Sequence, residues 1–247
     1  IELAAPNAEI PDRMAEIEGI DWIEEVPEAI PDSGTHADLV ETGVPNSAPF
    51  TGHGLRGQGQ TIAVIDKRSL DLGHCWFKDP ALAPPNPIEA NHRKVVAIYD
   101  QKKGGIGRHA TFVAGILAGD HLPHANASPV RGVAFAAKMV YANRDDFQDH
   151  GATATLYDYL EKVSLNGGDP AIQAYIISNS WHLSSNPPYL DDSVAVDRFM
   201  WTYEDRLVIG STGNTGDDMG PPGTAKNALC VGAAYVQGAA QMQTLSQ

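Results

Sequence analysis

The sequence contains few cysteines, few positive charges and no long apolar run. Two cysteines in 247 residues, Cys75 and Cys230, are too few for a disulfide framework. The 17 lysines and arginines face 31 aspartates and glutamates, and the resulting net charge of −14 repels nucleic-acid phosphates and anionic lipid headgroups. No apolar run reaches the roughly 18 residues that a membrane-spanning helix needs. Nucleic acid and a membrane are therefore not the predicted partners.

The N-terminal part of the chain differs in composition from the rest. Residues 1–29 combine a helical apolar pattern with a short strand-like run that ends before Pro27. A stretch rich in proline, serine, glycine and threonine follows, which is typical of a linker. We therefore predict a small segment over 1–29, a linker over 30–56 and one main domain over 57–247.

The main domain alternates short apolar runs with amphipathic segments. The first run, 61–65, is continuous and β-branched, as expected for a strand buried on both faces of a parallel sheet. Further strands are predicted over 95–99, 138–142, 174–178, 207–211 and 229–233. Helices are predicted over 109–118, 152–165 and 194–204. This alternation predicts βαβ crossovers and a doubly wound, mostly parallel α/β sheet with helices on both faces.

Two residues of this pattern form a candidate acid–base pair. Ligands of such sheets gather at the carboxyl ends of the strands, and Asp66 directly follows the first strand. A carboxylate there loses hydration unless a partner compensates it. His109 begins a helical segment of small and apolar residues that can lie close to the sheet. An aspartate that orients a histidine is the acid–base half of a nucleophilic triad.

A third candidate follows the strand predicted over 207–211. The run from Ser211 through Gly213 to Asn214 ends in a glycine-flanked asparagine, where a sharp turn would expose the side-chain amide. Such an amide can donate a hydrogen bond to a developing oxyanion. Asn214 is equally compatible with a plain turn, because asparagine tolerates positive φ.

These residues lie in an ordered series of blocks that resembles the subtilase family of serine peptidases. The blocks are residues 57–66, 109–119, 132–138, 178–181, 213–214 and 222–228. The resemblance implies a subtilisin-like fold, with Asp66 as the acid, His109 as the base and Asn214 as the oxyanion donor. It also implies that substrate contacts come from Ser178, Ser180, Trp181, Ser211 and Gly213.

The resemblance carries further expectations about the biology of the protein. Substrates would be peptides or proteins that add a strand along residues 178–181. Residues 1–29 look like the tail of an inhibitory propeptide, and a secreted or extracytoplasmic location follows at the level of the family. No cofactor or catalytic metal is expected for the chemistry. A structural calcium ion is an option, and residues 145–149 offer oxygen ligands without the spacing of a dedicated loop.

The sequence also departs from the family pattern. The Gly-Thr-Ser motif that carries the family's nucleophile does not occur, so we expect a C-terminally incomplete domain whose serine lies on a missing or companion segment. Lys67 and Arg68 stand where the family prefers threonine or serine followed by glycine. Phe112 replaces a common histidine, and His182 occupies a position at which glycine is usual.

Two other interpretations of the function are compatible with the sequence. A catalytically inactive pseudoprotease would keep the fold and the peptide groove as a binding module, because the nucleophile is absent. An unrelated flavodoxin-like domain would bind a small molecule near Asp66 and would keep Asp66 away from His109.

Overall fold

A computed structural model gives the arrangement of the main domain. It describes residues 47, 49–82, 91–99, 105–121, 131–145, 155–183, 189–214, 219–232, 234–237 and 241–244. The chain divides into a first unit, residues 1–32, and a second unit, residues 33–247. The first unit, with the propeptide-like segment, lies outside the described residues, so the predicted division into three parts stays a prediction.

Six parallel strands form the central sheet in the order β2-β3-β1-β4-β5-β6. They are β1 (Thr61–Asp66), β2 (Val95–Tyr99), β3 (Lys138–Asn143), β4 (Ile176–Asn179), β5 (Leu207–Ser211) and β6 (Leu229–Val231). All six residues of β1 are buried. The predicted continuous apolar strand is therefore confirmed, and it lies inside the sheet between β3 and β4.

Helices pack on both faces of the sheet, as predicted. The described helices are α1 (Pro49–Gly52), α2 (Arg108–Ala118), α3 (Leu156–Leu165) and α4 (Asp191–Thr202). On one face, α3 and α4 cover a core that includes Ala63 and Ile65. On the other face, α2 covers a core that includes Ile62 and Val64. Alternate residues of β1 thus belong to opposite cores, as the period of two in a strand requires.

Several boundaries differ from the predicted ones. The strand predicted over 174–178 begins at Ile176, and the helix predicted from 194 begins at Asp191. The acidic side chains of Asp191 and Asp192 suit the first turn of α4, because the helix dipole favours negative charge there. A hairpin of antiparallel strands, β7 (Ala234–Gln237) and β8 (Gln241–Thr244), was not predicted.

The buried side of helix α2 is built from small residues, which permits close packing against its neighbours. That side consists of Ala110, Ala114, Gly115 and Ala118. A Cβ atom added at Gly115 would overlap the indole ring of Trp76. Larger side chains would push α2 away from the sheet and would move the histidine at its start.

A buried polar cluster supports the beginning of β2. His92 is fully buried, and its Nδ1 accepts hydrogen bonds from the backbone amides of Lys94 and Val95 at 3.1 and 2.9 Å. The ammonium group of Lys94 donates to the carbonyl oxygens of Phe135 and Ala137 at 2.8 and 2.7 Å, and burial lowers the pKa of Lys94 to about 8. Because Nδ1 of His92 is an acceptor, the imidazole is neutral in the folded protein.

This arrangement predicts acid-sensitive folding. Burial, with smaller effects from Arg93 and Lys138, holds the pKa of His92 below its ordinary value of 6.5, against an opposing effect of Asp79. The unfolded chain therefore binds more protons, and the contribution of His92 to stability falls as the pH drops below 6.5. The measurement is the free energy of unfolding by urea at several pH values between 7 and 5.

The matched variants are His92→Gln and His53→Gln, since His53 is exposed. His92→Gln should flatten the pH dependence relative to wild type, whereas His53→Gln should leave it unchanged. Equal slopes for wild type and His92→Gln would contradict the assignment.

Candidate active site

The predicted acid and base are in direct contact. Nδ1 of His109 lies 2.9 Å from both carboxylate oxygens of Asp66. The Asp66 side chain is 1% exposed, whereas the His109 side chain is 59% exposed. A buried carboxylate thus fixes one nitrogen of an imidazole whose remaining surface is open to solvent. The flavodoxin-like alternative required the two residues to be apart and is therefore wrong.

Two effects act on the carboxyl group of Asp66. Burial raises the pKa of Asp66 above its ordinary value of 3.8, and hydrogen bonds from His109 and from the Lys67 amide act against this increase. The Lys67 amide donates to Oδ1 at 2.6 Å. The carboxylate is therefore costly to bury but is held by two donors in one orientation.

Backbone pairing between two loops brings the acid and the base together. Ser69, just after β1, forms an isolated parallel bridge with Ile106, just before α2. The Ser69 amide donates to Gly105 O at 2.9 Å, and the Gly107 amide donates to Ser69 O at 2.8 Å. A Cβ atom at Gly107 would lie 2.9 Å from the carbonyl oxygen of Lys67. Glycine at this position therefore permits the close approach of the two loops.

Tyr141 holds the turn that follows Asp66. Its buried hydroxyl group donates to the carbonyl oxygen of Arg68 at 2.6 Å. The Arg68 amide donates to Oδ2 of Asp145 at 3.2 Å. Arg68 has φ of 64°, in the left-handed region that favours glycine. This conformation explains why glycine is usual at this position in the subtilase family, which the sequence resembles.

Trp181 lies in the core that α3 and α4 cover, next to the end of β1. It is 7% exposed, and its indole N–H donates to the carbonyl oxygen of Ile65 at 3.1 Å, next to Asp66. The guanidinium group of Arg144 stacks 4.1 Å from the Trp181 ring, within cation–π range. Burial lowers the pKa of Arg144, and Asp192 provides the largest opposing effect. Trp181 thus links β4 to the end of β1, and its predicted contact with substrate stays a prediction.

The predicted substrate strand needs a correction. Ser178 pairs with Val64 of β1 on one side and with Ile209 of β5 on the other. Because both sides of its backbone face neighbouring strands, no further strand can pair at Ser178. Ser180 and Trp181 follow the paired residues, so a peptide strand can be added only beyond Asn179.

An apolar groove opens beside α2, on the face of the sheet that α2 covers. It has a volume of about 390 Å³. Its lining includes Ile62, Val113, Ile116, Ile176, Ser178 and Ser180. Ser178 and Ser180 both line this groove, and their predicted contact with substrate stays a prediction.

The turn after β5 carries the predicted oxyanion donor, Asn214. Gly213 has φ of 91°, a conformation that favours glycine, and Asn214 is exposed. The Thr212 amide donates to the carbonyl oxygen of Val231 at 3.1 Å, which joins the turn to β6. Ser211 is half-buried at the end of β5. Within the described residues, Asn214 makes no hydrogen bond to Asp66 or His109, so its role as oxyanion donor stays a prediction.

The described residues offer no group of three or more metal-ligating side chains. Residues 146–149 of the predicted calcium ligands lie outside them, and Oδ2 of Asp145 accepts from the Arg68 amide. Among the described helices, none has the length and apolar character to cross a membrane.

The close approach at Gly107 yields a stability prediction. Gly107→Ala should lower the free energy of unfolding by about 1–3 kcal/mol, because the added methyl group would separate the loops that carry Asp66 and His109. Gly52→Ala is the control, since no heavy atom lies within 4 Å of a Cβ at Gly52. Urea unfolding of the two variants makes the comparison, and equal losses would contradict the close approach.

Solved structures share the fold at low sequence identity. The PatG macrocyclase in complex with peptide superposes with a TM-score of 0.52, at 16% identity over 80% of this chain and 64% of that chain. The prenylagaramide maturation protease PagA gives a TM-score of 0.50, at 20% identity over 77% of this chain and 59% of that chain.

Curated relatives and a family model agree on the classification. The serine protease/ABC transporter B family proteins tagB and tagD of Dictyostelium discoideum are 30% and 31% identical over 72% of this chain. The chain spans 10% of the length of each relative. The model of the subtilase family, Peptidase S8, matches residues 57–247. The matched residues include the six parallel strands as well as Asp66 and His109. The chain therefore belongs to the subtilase family of serine-type peptidases.

Proposed function

We propose that this chain is the acid–base part of a serine endopeptidase that hydrolyses peptide bonds. The observation that carries the proposal is the 2.9 Å contact between His109 Nδ1 and the buried Asp66, with the imidazole 59% exposed. Asp66 orients His109, and His109 takes the proton of a serine that lies outside the 247 residues. Peptide substrates follow from membership of the family.

The geometry of the pair determines which nitrogen of His109 can accept a proton in each step. The N–H group at Nδ1 of His109 donates a hydrogen bond to the Asp66 carboxylate, so Nε2 carries the lone pair that accepts the proton of the serine hydroxyl. The serine oxygen attacks the carbonyl carbon of the substrate, and Asp66 stabilises the imidazolium that forms. The proton on Nε2 then passes to the leaving amine, and water repeats the sequence to release the acyl group. In this proposal Asn214 donates a hydrogen bond to the oxyanion.

Among the described residues, the hydroxyl group of Thr224 does not substitute for the serine nucleophile. Gly223, Thr224 and Ala225 are the nearest match to the Gly-Thr-Ser motif of the family, but alanine stands where the motif has its serine. The hydroxyl oxygen of Thr224 lies 2.8 Å from the hydroxyl oxygen of Ser193 on α4, on the opposite face of the sheet from α2. A companion segment that carries the serine is therefore part of the proposal.

The apolar groove beside α2 is the place where that segment would pack. His109, Val113 and Ile116 occupy positions i, i+4 and i+7 of α2, so they share one side of the helix. Val113 and Ile116 line the groove, and Ile116 is 49% exposed. Parallel sheets are normally covered on both faces, which favours an apolar helix here. A helix lying along this stripe would bring one of its ends to His109.

Covalent labelling tests the proposed chemistry. The full-length product of the gene should react with a fluorophosphonate probe at a serine outside residues 1–247, and a companion fragment should carry the label if the chain is processed. His109→Ala should reduce labelling by about 10³-fold or more, because the serine loses its base. His53→Ala is the control for a surface histidine. A folded full-length protein without label would overturn the proposed activity.

Asp66→Asn should separate stability from activity. Since burial raises the pKa of Asp66, ionisation lowers the stability of the folded state as the pH rises above 3.8. The neutral side chain removes this effect, so at pH 7 the free energy of unfolding should equal or exceed that of wild type. Labelling should fall by about 10⁴-fold, because Asn favours the wrong imidazole tautomer.

Urea unfolding and probe kinetics measure the two quantities on the same variant. Asp169→Asn is the control, as Asp169 is an exposed turn residue whose Oδ1 accepts from the Ala171 amide. A clear loss of stability in Asp66→Asn, with Asp169→Asn unchanged, would contradict the effect assigned to burial.

A pseudoprotease that binds peptides without cleaving them is the second candidate. It is favoured by His182 at a position where the family usually has glycine, and by Lys67 and Arg68 where the family prefers threonine or serine followed by glycine. The labelling experiment separates the two candidates. A secreted or extracytoplasmic location, an inhibitory role of residues 1–29 and a structural calcium ion stay predictions.

A further inference from the structure

Exposed positive charge borders the candidate active site of a strongly acidic chain. Lys67 and Arg68 directly follow Asp66, and both side chains are exposed. Arg108 directly precedes His109 and is also exposed. The chain as a whole has a net charge of −14. Adjacent cations at this position therefore oppose the overall charge of the molecule.

Hydrogen bonds hold the backbone of Arg68, whereas its guanidinium group has no partner in the described part of the chain. The hydroxyl group of Tyr141 and a carboxylate oxygen of Asp145 hold the carbonyl and the amide of Arg68 at 2.6 and 3.2 Å. Asp145 thus approaches the backbone of Arg68 and not its charge. Among the described residues, neither the Arg68 guanidinium nor the Lys67 ammonium has a hydrogen bond or an ion pair.

The conformation of Arg68 is a second, independent observation. With φ of 64°, the residue occupies the region in which glycine is free of strain, yet an arginine stands there. Strained backbone that the surroundings enforce is characteristic of functional sites. A Cβ atom at Gly107 would lie 3.0 Å from Cβ of Arg68, so the Arg68 side chain starts beside the loop that leads to His109.

We propose that Lys67 and Arg68 select substrates with an acidic side chain close to the scissile bond. The proposal deepens the proposed function and rests on it, because it takes the site beside His109 to be the place where peptides are cleaved. A carboxylate of an extended peptide bound at His109 would meet two cations that have no acidic partner of their own in the described part of the chain. Attraction between such partly exposed charges strengthens binding and weakens as salt increases.

The test compares peptides that differ only in charge. The full-length protein is assayed with a peptide series in which glutamate replaces glutamine at each of the three positions on either side of the scissile bond. At one position at least, the glutamate peptide should have kcat/KM about fivefold higher at low ionic strength, and the ratio should approach one in about 1 M salt.

Variants assign the preference to the two cations. Lys67→Ser/Arg68→Gly should reduce the glutamate-to-glutamine ratio to about one, and glycine suits the backbone at position 68. Lys67→Glu should reverse the preference toward a lysine-containing peptide. Lys78→Ser is the matched control, because Lys78 is exposed outside the turn after Asp66, and it should keep the wild-type ratio. Urea unfolding confirms that each variant is folded.

The outcomes separate this proposal from the proposed function. Turnover with a ratio near one at every position, or an unchanged ratio in the double variant, would overturn the selectivity and leave the peptidase activity intact. If no peptide is cleaved, the proposed function fails, and fluorescence anisotropy of the same labelled peptides measures binding instead. Tighter binding of the glutamate peptides, lost in the double variant, would then support the selectivity, and equal binding would refute it.

Discussion

The contact between Asp66 and His109 depends on the short backbone pairing between the loop after β1 and the loop before α2. Two amide–carbonyl hydrogen bonds join Ser69 to Gly105 and Gly107, and they fix the distance between the strand that carries the acid and the helix that carries the base. The hydrogen bonds are possible because Gly107 lets the two backbones approach. An ion pair alone would not hold an exposed imidazole in one orientation, because surface pairs contribute little.

Rigid packing behind the pair extends this constraint to the rest of the domain. The small buried residues of α2 let the helix lie against the sheet, and Trp181 fastens the end of β4 to the last apolar residue of β1. The apolar groove lies beside α2, between the helix and the strands β1, β4 and β5. The result is a carboxylate held by the core and an imidazole that faces away from it, which is the arrangement that general base catalysis requires.

The main features of the fold were predictable because they depend on short-range patterns. The apolar run of β1 and the small residues of α2 predict a buried strand and a close helix, and both are present. The pairing of Ser178 on both sides was not predictable, since strand order is a property of the whole sheet. Gly107 and Tyr141 were also missed. A glycine directly before the histidine segment was a usable signal for the first, whereas nothing in the sequence connects Tyr141 with the turn at Arg68.

The open groove beside α2 also determines how the 247-residue chain should behave by itself in solution. Its border carries aliphatic side chains, including Ile116 and Val133, that are nearly half exposed. Contiguous apolar surface of this kind promotes self-association in an isolated protein. A polypeptide segment that covered the groove would therefore also make the domain more soluble.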